Sequence, residues 1–294
     1  MPLPHLDLSS PDQVEEAFLR GASANRSAKC RRASIDVIEP PGTLIATGDL
    51  HDNPTNLETL VKAAALDSEN PRHLMLHEII HSDRLIQGMD FSYRALARVA
   101  ALKANFPEHV HILLGNHELA QIVGAGIIKD GIKCVEAFNA GVEYAFGGET
   151  ERVQKALDTF VRSLPIALRC VSARGDILCC HSLPSPGNMF RFDTTILTRE
   201  LTDDDYQPRT GSAHFMVWGR GYDPEQLEDL VERWGINLFV LGHEKAEDGI
   251  KLIPPNAIVL NSDSHRGVYL PLDLEHPPTL EQAAGQVVWF SDME

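Results

Sequence analysis

The chain has 294 residues, with 26 Lys and Arg against 42 Asp and Glu, for a formal net charge of −16. Hydrophobic residues at 43% and charged ones at 23% are ordinary values for a globular protein and exclude a disordered or collagen-like chain. The acidic balance argues against a general binder of nucleic acid or of an anionic membrane surface, since both are polyanions. No apolar run reaches the ~18 residues of a membrane helix, and the first residues, MPLPHLDLSSPDQVEE, lack the apolar segment of a secretory signal. A cytoplasmic protein with no membrane partner is expected. Its five cysteines, an odd number, read as buried reduced thiols. Cys179 and Cys180 are adjacent, so an extended backbone points them to opposite faces and makes them a poor chelating pair.

In chain order, residues 1–40 read as an N-terminal helical lead-in, with a helix over 11–20 followed by a solvated basic loop carrying Arg20, Arg26, Lys29, Arg31 and Arg32. TLIATGDL is a strand ending in a turn. Thr55 and Glu58 have capping-box spacing, and Leu57, Leu60, Val61 and Ala64 then form a helical stripe. HLMLHEII is a second strand, 91–105 a third helix closed by Pro107, and HVHILLG a third strand. This rhythm predicts right-handed crossovers and a parallel or mixed sheet. IALRCV and DILCC flank a tight turn and form a hairpin; residues 202–213 read as a surface loop, and 224–234 as an amphipathic helix. Short strands follow at NLFVL, GIKLI, AIVL, GVYLPLDL and QVVWF. An α/β half against a more antiparallel half makes a two-sheet sandwich with helices outside. No linker divides it: residues 41–275 form one domain, and 276–294 a C-terminal strand and tail packed on it.

Four of these apolar strands end in polar residues: Gly48-Asp49-Leu50-His51, Gly115-Asn116-His117-Glu118, Cys180-His181-Ser182 and Gly242-His243-Glu244. Strand ends gather on one edge of an α/β sheet, where ligands bind. Asp49 and His51 are two apart, so on an extended segment they share a side and can hold one ion. Carboxylate, imidazole and amide oxygen together suit Mn, Fe or Zn, and the lack of thiolates disfavours a structural zinc site.

With GDLH, GNHE, CCHSLPSP and LGHEKAEDGI in this order, the chain resembles the calcineurin-like metallophosphoesterases from about residue 43 to 274, and among them the phosphoprotein phosphatase branch and its bacterial relatives. Trp218 falls where that branch has a tryptophan between its last two motifs. The resemblance implies a four-layer α-β-β-α sandwich with a mixed two-sheet core. It implies two divalent metals, Mn first and Fe or Zn as alternatives. Asp49, His51 and His243 would bind one, Asn116 and His181 the other, and an acid after the second strand, Glu78, would bridge them. The implied reaction is hydrolysis of a phosphomonoester, on a phosphoprotein or nucleotide-type substrate, by a hydroxide shared between metals ~3.5–4 Å apart. His117 would protonate the leaving oxygen.

The second motif departs from the family. Glu78 stands at the bridging-acid position, and His81 where the family has the carboxylate that orients the catalytic histidine, with Asp52 or Asp83 as substitutes for that partner. Leu114 replaces the phosphate-binding arginine of many members, leaving Arg84, Arg191, Arg220 and Arg266 as candidates. His77-Glu78-Ile79-Ile80-His81 also reads as H-E-x-x-H, which on a helix would make a zinc protease. The strand-like context and the four unexplained motifs argue against it. A third reading is a catalytically impaired module that binds metal or phosphate without turnover. The sequence does not specify an oligomeric state.

Overall fold

The computed structural model describes residues 3–129 and 131–293. The elements run α1 (Pro11–Ser27), β1 (Arg31–Arg32), β2 (Ile35–Ile38), β3 (Thr43–Thr47), α2 (Pro54–Ala64), β4 (His73–His77), α3 (Tyr93–Asn105), β5 (Val110–Leu113) and α4 (Asn116–Val123). A small hairpin, β6 (Ile128–Lys129) and β7 (Ile132–Lys133), precedes α5 (Cys134–Phe146) and α6 (Thr150–Val161). Then come β8 (Ala167–Cys170), β9 (Asp176–Cys180), α7 (Ser212–Trp218), α8 (Pro224–Trp234) and β10 (Ile236–Leu241). The chain closes with β11 (Ile250–Ile253), β12 (Ala257–Leu260), β13 (Val268–Asp273), α9 (Leu280–Gln286) and β14 (Val288–Trp289). No described helix is long and apolar enough to cross a membrane.

One sheet has the order β14-β13-β3-β4-β5, with β3, β4 and β5 parallel and the other two antiparallel; the second has the order β1-β2-β8-β9-β10-β12-β11. Strand alternation decides what each face buries. Leu44 and Ala46 of β3, Met75 of β4 and Leu113 of β5 meet Leu168, Cys179, Val240 and Ile258 of the other sheet in one buried cluster. The intervening residues Ile45, Leu74, Leu76 and Ile112 belong to the other large cluster, with Leu60 of α2 and Leu96 and Val99 of α3. On the second sheet Cys180, Phe239 and Leu241 join that same cluster with Leu227 and Leu230 of α8. The fold is therefore a two-sheet sandwich with helices on both outer faces. Cys179 and Cys180 fall on opposite sides of one sheet, and all five cysteines are free and buried.

The basic stretch after residue 20 is not a solvated loop. Helix α1 continues through it to Ser27, burying Gly21, Ala22 and Ala24. A methyl on Gly21 would lie 2.9 Å from the Ala100 carbonyl oxygen and 2.9 Å from Phe160, so glycine permits the close approach to α3 and α6. Arg31 is consumed by a 2.8 Å ion pair to buried Asp36. That carboxylate also meets His111 Nδ1 at 2.8 Å and Lys103 Nζ at 3.8 Å, joining β2 of one sheet to β5 and α3 of the other layer pair. The cap of α2 lies two residues earlier than the spacing of Thr55 and Glu58 predicts: Asn53 accepts from Asn56 N–H, and Pro54 takes the first helical turn, where no donor is needed. The 202–213 segment is more ordered than a surface loop, because Arg199 holds Asp205 with two 2.7 Å hydrogen bonds and Tyr206 is buried.

Candidate active site

The strand ends converge as expected, and left-handed backbone turns them inward. His51, Glu78, His81 and His243 have φ of 42°, 51°, 63° and 67°, each a conformation that non-glycine residues rarely hold. Three of them line one cleft and His81 stands behind its wall residue His117, the clustering expected where local strain serves function. The cleft is open, about 450 Å³, and is lined by Asp49, His51, Glu78, Asn116, His117 and His243, with Trp218, Arg220 and Lys129 at its walls.

Two groups of donors form. His181 Nε2 lies 2.8 Å from Asn116 Oδ1 and 3.1 Å from His243 Nδ1, and Asn116 Oδ1 lies 2.9 Å from His243 Nδ1. Asp49 adjoins this group: its Oδ1 accepts from His243 N–H at 3.0 Å and is 3.6 Å from His181 Nδ1. The second group is His51, Glu78 and His117, whose ligand atoms lie within 4.8 Å of one another. Glu78 leans toward both, with Oε1 3.5 Å from His117 Nε2 and Oε2 3.8 Å from His181 Nε2. The imidazole of His243 thus sits with Asn116 and His181, while its backbone N–H donates to Asp49. The grouping with Asp49 and His51 implied by the motifs differs from this geometry.

The electrostatics favour a cation here. Burial raises the Asp49 and Glu78 carboxyls above their ordinary range, and for Glu78 the neighbouring Glu118 and Asp49 charges add to it. Burial likewise depresses His51, His117 and His181, and holds His243 at about 3. Neutral imidazoles are the ligand form. His243 Nε2 is buried without a hydrogen-bond partner among the described residues. Three lone-pair atoms within 3.1 Å of each other, two carboxylates and an orphaned ring nitrogen fit divalent metal ions, and the oxygen-and-nitrogen set is that of Mn, Fe or Zn.

Of the four arginine candidates, only Arg220 lines the cleft, with Nη1 donating to the His243 carbonyl at 2.9 Å. Arg84 and Arg266 pair with Asp52 and Asp248, each at 3.5 Å, and Arg191 lies over the Phe215 ring. Neither Asp52 nor Asp83 partners His117; His81 does, Nδ1 to Nδ1 at 2.8 Å. The H-E-x-x-H reading is overturned. His77 ends β4, residues 78–82 are not helical, and the two imidazoles part, His77 toward Thr47 and His181 and His81 toward His117. A single zinc-binding helical face does not exist there. Sequence reading missed His77 beside Asp49 and His181, and also Lys129, Asn261 and Asp263 at the cleft. Asn261 follows the apolar strand β12, so the strand-end rule that found the others points to it too.

A family model described as calcineurin-like phosphoesterase matches residues 42–246. Among solved structures, a protein serine/threonine phosphatase from Saccharomyces cerevisiae with similarity to human phosphatase PP5 superposes with a TM-score of 0.63 at 15% identity, covering 90% of this chain and 83% of that one. The cold-active protein-tyrosine phosphatase of a psychrophile, Shewanella sp., gives 0.56 at 16% identity, over 84% and 80% of the two chains. At these identities the likeness carries the fold. No curated protein matches the sequence. The family match spans the four polar strand ends, and the family's chemistry rests on divalent metal ions, for which the His, Asp and Glu clusters supply donors. The chain belongs to the calcineurin-like phosphoesterases and is a metal-dependent hydrolase of phosphate esters.

Proposed function

We propose that the protein is a dinuclear phosphomonoesterase acting on a phosphoprotein or nucleotide-type substrate. The observation that carries this is the convergence of Asp49, His51, Glu78, Asn116, His181 and His243 on one cleft, with His117 on its wall. Asn116, His181, His243 and Asp49 would hold one cation, His51 the other, and Glu78, which leans toward both groups, would serve both. Manganese suits this set, which is rich in oxygen and imidazole. When bound, such ions neutralise phosphoryl charge and acidify water.

The chain's own residues do the rest. His117 Nε2 faces the cleft, 3.5 Å from Glu78 Oε1, and is the group positioned to give its proton to the leaving oxygen. Arg220 is held by the His243 carbonyl, so its guanidinium stays beside the ligand cluster, where it can bind phosphoryl oxygens. Lys129 lines the cleft and its charge acts on Asp49, His51 and His117, placing a second cation where the substrate's anion arrives. Trp218 packs edge-on against His243 at 6.0 Å and walls the cleft from the side.

Chelation should abolish turnover of p-nitrophenyl phosphate, with Mn restoring it. His117→Ala should retain two metals per chain and lose about 10²–10⁴-fold in kcat. Undiminished hydrolysis by that variant would remove His117 from the reaction. A metal-free wild type that still turns over would overturn the proposal as a whole.

A further inference from the structure

The family's carboxylate partner of the catalytic histidine is absent, and a four-residue chain of hydrogen bonds occupies its place. His81 Nδ1 meets His117 Nδ1 at 2.8 Å, and His81 Nε2 meets Gln121 Oε1 at 3.2 Å. Gln121 Nε2 donates to Asn139 Oδ1 at 2.7 Å, which also accepts from Gln154 Nε2 at 3.4 Å. His81 and His117 are both buried, and the Phe138 ring stands edge-on to His81 at 5.6 Å, which restricts its rotation.

We propose that Gln121 and Asn139 are positioning residues that set the tautomer of His81 and, through it, that of His117. Rings joined by a single N···N contact hold one proton there, and its direction is decided elsewhere. Asn139 fixes the Gln121 amide with its oxygen toward His81. That oxygen can only accept, so the His81 proton sits on Nε2 and Nδ1 is a lone pair. The lone pair accepts from His117, whose remaining proton is therefore on Nδ1. When His117 takes up a proton from solvent at Nε2, giving that proton to a leaving oxygen returns it to this same tautomer, with Nδ1–H intact. The relay thus performs the hydrogen-bonding half of a carboxylate's task while adding no negative charge. Without Gln121, His81 is free to carry its proton on Nδ1. It would then meet His117 as a donor and force the opposite tautomer.

This inference rests on the proposed role of His117, and its experiments separate the two. In ¹⁵N-histidine NMR of the Zn-loaded protein, His81 should show the Nε2–H tautomer and His117 the Nδ1–H tautomer. Gln121→Leu should lose that preference. In turnover, Gln121→Leu should lower kcat by about 10-fold or more with KM little changed. Gln121→Glu, which keeps an acceptor, should restore most of it. The decisive comparison is made in a His81→Asp background, where an acceptor faces His117 without any relay. There Gln121→Leu should leave kcat within about twofold. An equal loss in both backgrounds would reduce Gln121 to a packing role, and an Nδ1–H tautomer at His81 in the wild type would overturn the polarity. The expected tautomers together with a fully active His117→Ala would leave the relay standing and remove the proton-donor role.

Discussion

Gly115→Ala tests the proposed ligand role of Glu78 without replacing any of the proposed ligands. Gly115 precedes α4, and a methyl there would lie 2.0 Å from Glu78 Oε2 and 2.6 Å from Glu118 Oε2. An ordinary carbon–oxygen contact is more than 1 Å longer than the first of these, so the carboxylate must move by about that much. It has little room to do so. Glu78 is 1% exposed, its backbone is held at φ 51°, and Glu118 Oε1 is already tied to Ile79 and Ile80 N–H at 2.7 and 3.2 Å. Overpacking of this kind costs about 1–3 kcal/mol. For a chain of this size that lowers the melting temperature by roughly 2–10 °C. A carboxylate displaced by about 1 Å no longer reaches both donor groups, so metal content should fall from two toward one per chain and kcat by about 10²-fold. Elemental analysis, p-nitrophenyl phosphate turnover with Mn, and a circular dichroism melt read the three effects separately. Gly285→Ala, whose methyl meets nothing within 4 Å, is the control. Two retained metals and wild-type kcat in Gly115→Ala would refute the assignment of Glu78 as a ligand to both ions.

Two further outcomes are expected. Lys129→Ala and Arg220→Ala should each raise KM and the inhibition constant for inorganic phosphate by about 10-fold, as loss of a charge-assisted contact does; an unchanged phosphate inhibition constant in both would show that neither touches the anion. Acid stability should depend on His73, which burial and then the nearby His111 and His109 hold down at about 3. Because its folded pKa lies below the ordinary 6.5, its contribution is complete above that value and is lost as pH falls toward 3. Urea unfolding at several pH values should therefore show wild type losing about 1.4 kcal/mol per pH unit more than His73→Gln across this window; parallel curves would contradict the burial argument. Asp36 adds to the same trend at lower pH. Burial alone would raise it, but the His111 hydrogen bond, then His111, Arg31 and Lys103 charges, hold it below the usual carboxylate range.

Much of the site was legible along the chain because the chemistry sits at strand ends. An apolar run of four to six residues followed by Asp, Asn or His is a local pattern, and parallel strands bring such ends to one edge whatever the loops do. Asp49, Asn116, His181 and His243 were readable for that reason. So were the hairpin of β8 and β9 and the helix α8, whose turn and stripe are contained in fewer than fifteen residues. The helices α5 and α6 carried no such polar signature and were not read.

Other features depended on residues far apart in sequence. The basic stretch after residue 20 reads as solvated because its charges are visible and their partners are not: Asp36 anchors Arg31, and α3 and α6 cover the apolar side of α1. His77-Glu78-Ile79-Ile80-His81 is the sharper case. The same five letters fit a helical zinc motif and a strand end, and local spacing cannot choose between them. Pairing of β4 between β3 and β5 chose the strand, sending His77 to Thr47 and His81 to His117. Which imidazole shares a group with Asn116, and that a glutamine stands behind His81, were likewise decided by packing. Sequence determined that Asp49, Asn116, His181 and His243 stand at the ends of apolar strands, since that pattern is contained in a single local run. Only the tertiary structure decided which of those groups touch, because contacts across two sheets depend on register and burial that no local window contains.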